Sequence, residues 1–199
     1  MKSDVWEIRP LPTLNDNSLS QIKKQRVVKI SPHKYIHDYD NYDVSVYVDC
    51  SIIIKVDLNF VIEQMKNIGD FEICTVKHPI RKCIYKEEDT VVKVKKDIKE
   101  ITQPQIQKYK EEGFPVNYGL NETNVMIRFK SNEVNEIMND WEHELRMHSH
   151  RDQLSFNYVL WKHQHKIVDM PVISRNKWFR VMKHKSTQPI VSKTLTKTT

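Results

Sequence analysis

Asp49 ends a run in which Val44, Val46 and Val48 alternate with Ser45 and Tyr47, and Cys50 and Ser51 follow it. A carboxylate at the end of a strand can hold a divalent cation, which in turn neutralises a phosphate or diphosphate. A second acid two residues on would make a stronger ligand pair, but Ser51, a weaker donor, stands there. Without a ligand, Asp49 would simply cap the following turn. Ahead of the strand, Arg26, Lys29 and His33 are three and four residues apart, a spacing that turns three basic groups to one helix face. Such a face offers charge-assisted hydrogen bonds to a diphosphate, or is a solvated basic surface. Ser149 and Asp152 have the spacing of a capping box, with Asp in place of Glu. The other reading places Arg151, Asp152 and Gln153 at a helix mouth, where a carboxylate can accept a ligand hydroxyl or act as its base. His78, Arg81, Tyr85 and Glu87 follow the next predicted strand and can line the same cleft.

Positioning these groups requires strands and helices in alternation. Residues 44–48 have the period of a strand, and Asp57 can cap a helix with Leu58, Val61, Ile62, Met65 and Ile68 on one face, stopped by Gly69. Residues 71–76 read as a second strand, 85–101 as a charged helix, and 105–112 as a short helix ended by Gly113. Residues 125–129 make a third strand. Ser131 opens a helix with Val134, Ile137, Met138, Trp141 and Leu145 on one face; a helix over 152–163 and a last strand at 167–168 follow. Residues 1–20 are irregular. The alternation predicts an α/β fold with a mainly parallel central sheet flanked by helices. In such a sheet ligands bind beyond the carboxyl ends of the strands, where Asp49 sits.

The whole reads as one domain over residues 1–182 and a Thr- and Lys-rich, disordered tail over 183–199. That tail holds four of the lysines behind the formal charge of +6, leaving about +2 elsewhere. The densest basic run, Lys93, Lys95 and Lys96, is broken by Asp97 and Glu100. Nucleic-acid binding needs cations clustered on one face, so nucleic acid is not an expected partner. With only Gly69, Gly113 and Gly119, no glycine-rich phosphate loop can form. Cys50, Cys74 and Cys83 make no CxxC pair and are expected to be reduced. His148, His150, His163 and His165 form two HxH pairs without cysteine at ligand spacing, which reads as surface histidine rather than zinc. The chain shows neither an apolar run long enough for a transmembrane segment nor a signal-peptide pattern, so a cytoplasmic location is expected.

Five blocks, in order, carry a family resemblance: KISPHKYIHDYDNYDVSVYVDCSIII at 29–54, HPIRKCIYKEE at 78–88, QIQKYKEEGFP at 105–115, NVMIRF at 124–129 and SHRDQLSFNYVLWK at 149–162. Over roughly residues 26–162 the chain resembles a glycosyltransferase-like family long catalogued only as a domain of unknown function. Its members include plant Golgi proteins linked to polysaccharides, and related domains occur in bacteria and large DNA viruses. The resemblance implies a GT-A-like, Rossmann-like domain that moves a sugar from a nucleotide-sugar donor to a glycan or protein acceptor, with Mn²⁺ or Mg²⁺ as cofactor. It assigns Arg26, Lys29, His33, Asp49, Ser51, Arg151 and Gln153 to the donor, Asp49 to the metal, His78, Arg81 and Tyr85 to the acceptor cleft, and Asp152 and Glu87 to catalysis. Members usually open with a strand and a Gly-Gly-Tyr-Asp-like turn, for which this chain has no counterpart. The expectation is therefore a sheet lacking the usual first strand. Either another chain completes it, making an oligomer, or the domain is a degenerate copy that binds nucleotide or glycan without catalysis.

Overall fold

The helices that start at Gln21, Leu58 and Asn132 each begin at a side-chain cap. In the computed structural model, which describes residues 6–11 and 14–182, Ser20 caps α1 (Gln21–Ile30) by accepting from the Lys23 amide. After α2 (Pro32–Tyr35) come β1 (Val44–Val48) and β2 (Ile52–Ile54). Asp57 caps α3 (Leu58–Lys66), accepting from the Asn59 amide, and β3 (Ile73–Lys77) follows. Two helices follow β3, as expected, but the break between them falls earlier than read. α4 (Ile84–Lys93) and α5 (Lys99–Glu111) part where Lys95 adopts a left-handed φ of 55°, so residues 85–101 are not one helix and 105–111 belong to α5. Beyond β4 (Asn121–Phe129), Ser131 caps α6 (Asn132–Met147), and α7 is Gln153–Lys162. The described chain ends with β5 (Val168–Met170), α8 (Val172–Trp178) and β6 (Phe179–Val181). The tail over 183–199 lies outside the described residues.

The sheet is mixed and mostly antiparallel, which corrects the expectation of a mainly parallel one. Its order is β1-β4-β3-β5; β4 runs antiparallel to both neighbours and only β3 and β5 pair in parallel. The crossover signal was sound in part, since β1 and β3 run the same way with α3 between them. They are not neighbours, however, because β4 lies between them. The two helices α4 and α5 cause this: they carry the chain out and back to the same end of the sheet, so that Asn121 at the start of β4 pairs with Lys77 at the end of β3. A single helical crossover would have returned it to the opposite end. β2 and β6 form a separate antiparallel pair that no sequence period announces.

Apolar residues pack on both faces of the sheet. On one face Ile73 and Met126 meet the apolar stripes of α6 and α7, including Ile137, Met138, Trp141, Leu145 and Phe156. On the other, Cys74, Val76, Val125 and Ile127 pack against Val61 and Met65 of α3 and against Trp178 and Phe179. The predicted face of α6 is buried throughout. Halfway along β4 the register with β3 slips, Thr75 pairing with Met126 but Val76 with Glu122. Thr75 Oγ1 donates at this bulge toward the carbonyls of Glu122 and Val125. A bulge re-aims side chains at a strand end, and here it affects Thr123 and Asn124.

Trp141 ties the helical layer to the site, because its indole Nε1 donates to the Asp152 carbonyl at 2.9 Å and its ring lies 4.6 Å from that of Phe156. Trp141→Ala leaves a cavity and removes this hydrogen bond, and should cost about 3–5 kcal/mol in urea unfolding; Trp141→Phe should cost clearly less.

Candidate functional site

Asp152 stands at the head of α7, 2% exposed. It does not cap the helix: its side chain makes no cap bond, and the Ser149 hydroxyl accepts the Arg151 amide and donates to Asp97 instead. This local turn leaves the Asp152 carboxylate free to face α1. One oxygen pairs with the Arg26 guanidinium; the other meets Lys29 Nζ at 2.5 Å and accepts from Thr123 Oγ1 at 3.1 Å. Lys29 also donates to Thr123 at 2.9 Å. Burial alone would raise the Asp152 pKa, but the charges of Lys29 and Arg26 outweigh it and hold the group below the usual carboxylate range. Burial pulls Lys29 downward, opposed mainly by Asp152.

Around this pair lies a polar cavity of about 250 Å³. It sits beyond the carboxyl ends of β1 and β3, and Arg26, Lys29, Asp49, His78, Arg81, Glu87, Arg151, Asp152 and Gln153 all line it. These residues come from segments up to about 125 positions apart and were named from sequence as donor, cleft or catalytic groups. Lys96 and the bulge residues Glu122, Thr123 and Asn124 line it too, and were not foreseen. Lys96 read as part of a charged helix surface, but lies in the turn between α4 and α5. The polar first half of β4 carried no strand signal of its own.

Three expected residues are elsewhere. α1 ends at Ile30 and Pro32 starts a new helix, so His33 does not continue the face of Arg26 and Lys29; its Nε2 meets Asn139 of α6 at 2.8 Å. Ser51 lies in the turn after β1, where its carbonyl accepts from the Met182 amide. Tyr85 donates to the Phe114 carbonyl at 2.7 Å and packs edge-on against that ring. None of the three lines the cavity.

Most charges in the cavity are already paired. Arg81 pairs with Glu87, and Glu122 with Arg175 at 2.9 Å. His78 Nδ1 accepts the amides of Ile80 and Arg81, which fixes the loop after β3, and burial followed by the Arg81 charge lowers its pKa. Asp49 accepts from the Tyr47 hydroxyl at 2.5 Å and has no cation within ion-pair distance among the described residues. Burial, then the bond to Asp49, pushes the Tyr47 pKa up, so that hydroxyl stays a donor. Arg151 is the converse of Asp49: its guanidinium has no hydrogen-bond or ion-pair partner among the described residues, and its Nε is buried. Burial and the neighbouring Arg26 charge both weigh against its cationic form. The cavity thus presents one unpaired carboxylate and one unpaired guanidinium, an arrangement suited to an anion and a cation held together.

The two HxH pairs do not converge. His163 meets Asp140 at 2.8 Å, whereas His165 meets Glu133 at 2.7 Å in a group with Glu72. His148 lies near Glu144, and His150 near Asp97. No helix among the described residues is long and apolar enough to cross a membrane.

Asp152→Asn leaves the buried Lys29 and the half-buried Arg26 opposite a neutral group and should destabilise the fold by about 3–5 kcal/mol. Because the folded-state pKa of Asp152 is depressed, its contribution is complete above the ordinary value of about 3.9 and is lost as the pH falls through the lower folded value. Denaturant midpoints measured from pH 6 down to pH 2 should therefore fall steeply below about pH 4 in the parent protein, and less steeply in Asp152→Asn.

No curated protein and no solved structure matches the chain. A family model does, over residues 13–186, which takes in the whole cavity and every strand and helix from α1 to β6. With the sugar-transfer expectation and the polar cavity on the same residues, the chain belongs to the TOD1/MUCI70 glycosyltransferase-like domain family.

Proposed function

We propose that this chain transfers a sugar from a nucleotide-sugar donor to a glycan or protein acceptor, with the donor diphosphate held in the cavity between α1, α7 and the ends of β1 and β3. The observation that carries the reading is the unpartnered Arg151 guanidinium facing a cavity in which Arg26, Lys29 and Arg81 are committed to carboxylates. A diphosphate supplies the acceptor oxygens that Arg151 lacks, and Lys96 on the same wall adds a second charge.

Asp49 fits the part of a metal ligand in a site of this kind. It is an oxygen donor, it has no paired cation, and Tyr47 orients it. Magnesium-type ions need only one or two protein carboxylates when substrate phosphates complete their shell. Bound there, Mg²⁺ or Mn²⁺ would neutralise the diphosphate as it leaves. Asp152 takes a different role from the catalytic one expected of it. With both oxygens engaged, it holds Arg26 and Lys29 in place and offsets part of their charge, so it is a positioning residue. Gln153 donates to the Asn121 carbonyl at 2.9 Å and fixes the entry to β4 in the same way.

A second reading has its own support. Glu87 and Asp152, the two carboxylates expected to act in catalysis, are both buried and ion-paired, which suits a module that binds a nucleotide or glycan without turning it over. Calorimetric titration with UDP and GDP, with and without Mn²⁺ or Mg²⁺, tests the shared claim. Arg151→Gln should weaken nucleotide binding by roughly ten- to a hundredfold, the equivalent of one charge-assisted contact. Asp49→Asn should remove whatever binding the metal adds and leave metal-free binding unchanged. Release of free sugar from UDP- or GDP-sugars, abolished in Asp49→Asn, separates the transferase from the binding module. Failure of both nucleotides to bind under any condition would sink the transferase and the nucleotide-binding form of the module.

A further inference from the structure

The largest polar anomaly outside the site is Arg128, in β4. It is 2% exposed and no carboxylate lies within ion-pair distance among the described residues. One terminal nitrogen donates to the carbonyls of Lys29 and Ile30 at 3.0 and 2.8 Å and approaches Met138 Sδ at 3.5 Å, but Nε is buried without a partner. Its partner across the β1–β4 ladder is Ser45, whose hydroxyl is also buried and unpartnered. Isolated buried charges and orphaned polar groups are costly, and two side by side call for a reason.

Both residues line one cavity of about 520 Å³, separate from the site above except that Lys29 borders both. Its walls are otherwise mainly apolar: Leu14, Val28, Pro32, Ile36, Val46 and the Tyr47 ring. Lys24 and Lys29 join Arg128 in the lining, and no acidic residue does. The size is that of a small-molecule pocket, and a few polar groups set in apolar walls are the usual composition of one. Lys29 is committed to Asp152, so Arg128 and Lys24 are the charges left for a ligand.

We propose that this cavity binds an amphipathic carboxylate, its acid group directed to Arg128 and Ser45 and its hydrocarbon body against the walls from α1, α2 and β1. An uncharged apolar molecule would leave Arg128 as it is, and a large polyanion would desolvate against the apolar walls. A single carboxylate on an apolar chain satisfies both. Burial pushes the Arg128 pKa down to about 10, so the group is still cationic at neutral pH. The proposal does not depend on sugar transfer.

Decanoate is the probe, with 1-decanol as the uncharged control, each titrated calorimetrically into the full chain. One decanoate should bind per chain, at least tenfold more tightly than decanol. Arg128→Met should bring decanoate down to the level of decanol. Val28→Phe fills the cavity and leaves the guanidinium in place, so it should remove binding of both while circular dichroism shows an intact fold. Should Arg128→Met fail to fold, Val28→Phe and the comparison with decanol still decide. The proposal is overturned by a lack of saturable decanoate binding, by decanol binding as tightly, or by unchanged decanoate affinity in Val28→Phe.

Discussion

A carboxylate sealed from water between Arg26, Lys29 and Thr123 sets the terms for the rest of this domain. An ion of that kind is tolerated in an interior only when its partners are held in register, and Asp152, at the head of α7, draws them from α1 and the bulged half of β4. Each is fixed separately. Arg128 caps the C-terminal carbonyls of α1 from the sheet, and Lys23 reaches from α1 to the carbonyls of Arg146 and His148 at the end of α6. Trp141 holds the Asp152 backbone. The polar floor of the cavity and the apolar layer beneath it are thus one construction.

That construction explains how charge is distributed among the cavity residues. Arg81 is matched by Glu87 and Glu122 by Arg175, while Arg26 and Lys29 share Asp152; among the described residues Arg151, Lys96 and Asp49 have no ion-pair partner. Because the neighbouring charges are engaged with one another, these groups stay available to a ligand, and partial burial strengthens any contact they make with it.

Much of this was legible from the chain alone wherever one local signal decided the structure. The valines of β1, the caps at Asp57 and Ser131 and the buried stripe of α6 follow from period and capping chemistry, and the structure has each of them. Asp49, Asp152 and the loop from His78 to Glu87 reach a common cavity because strand and helix ends meet there. What local reasoning missed depended on contacts far along the chain. The direction of β4 follows from two helices returning to their starting end, and the placing of Thr123 and Asn124 from a register slip against β3. His33 was misplaced because Pro32 starts a new helix inside an apparently continuous spacing. Tyr85 has the composition of a cleft residue, yet its ring is absorbed by packing against Phe114.

The out-and-back path of α4 and α5 has an evolutionary side. Its two ends, Lys77 and Asn121, are neighbours on adjacent strands, so residues gained or lost at the turn between the helices leave the sheet register untouched and cost little in closure entropy. This excursion carries Arg81, Glu87 and Lys96, one wall of the cavity, whereas Arg26, Lys29 and Asp152 belong to the opposite, internally braced wall. Changes on this excursion that spare Asp97, which holds Ser149 ahead of Asp152, can therefore alter what is admitted without disturbing the opposite wall.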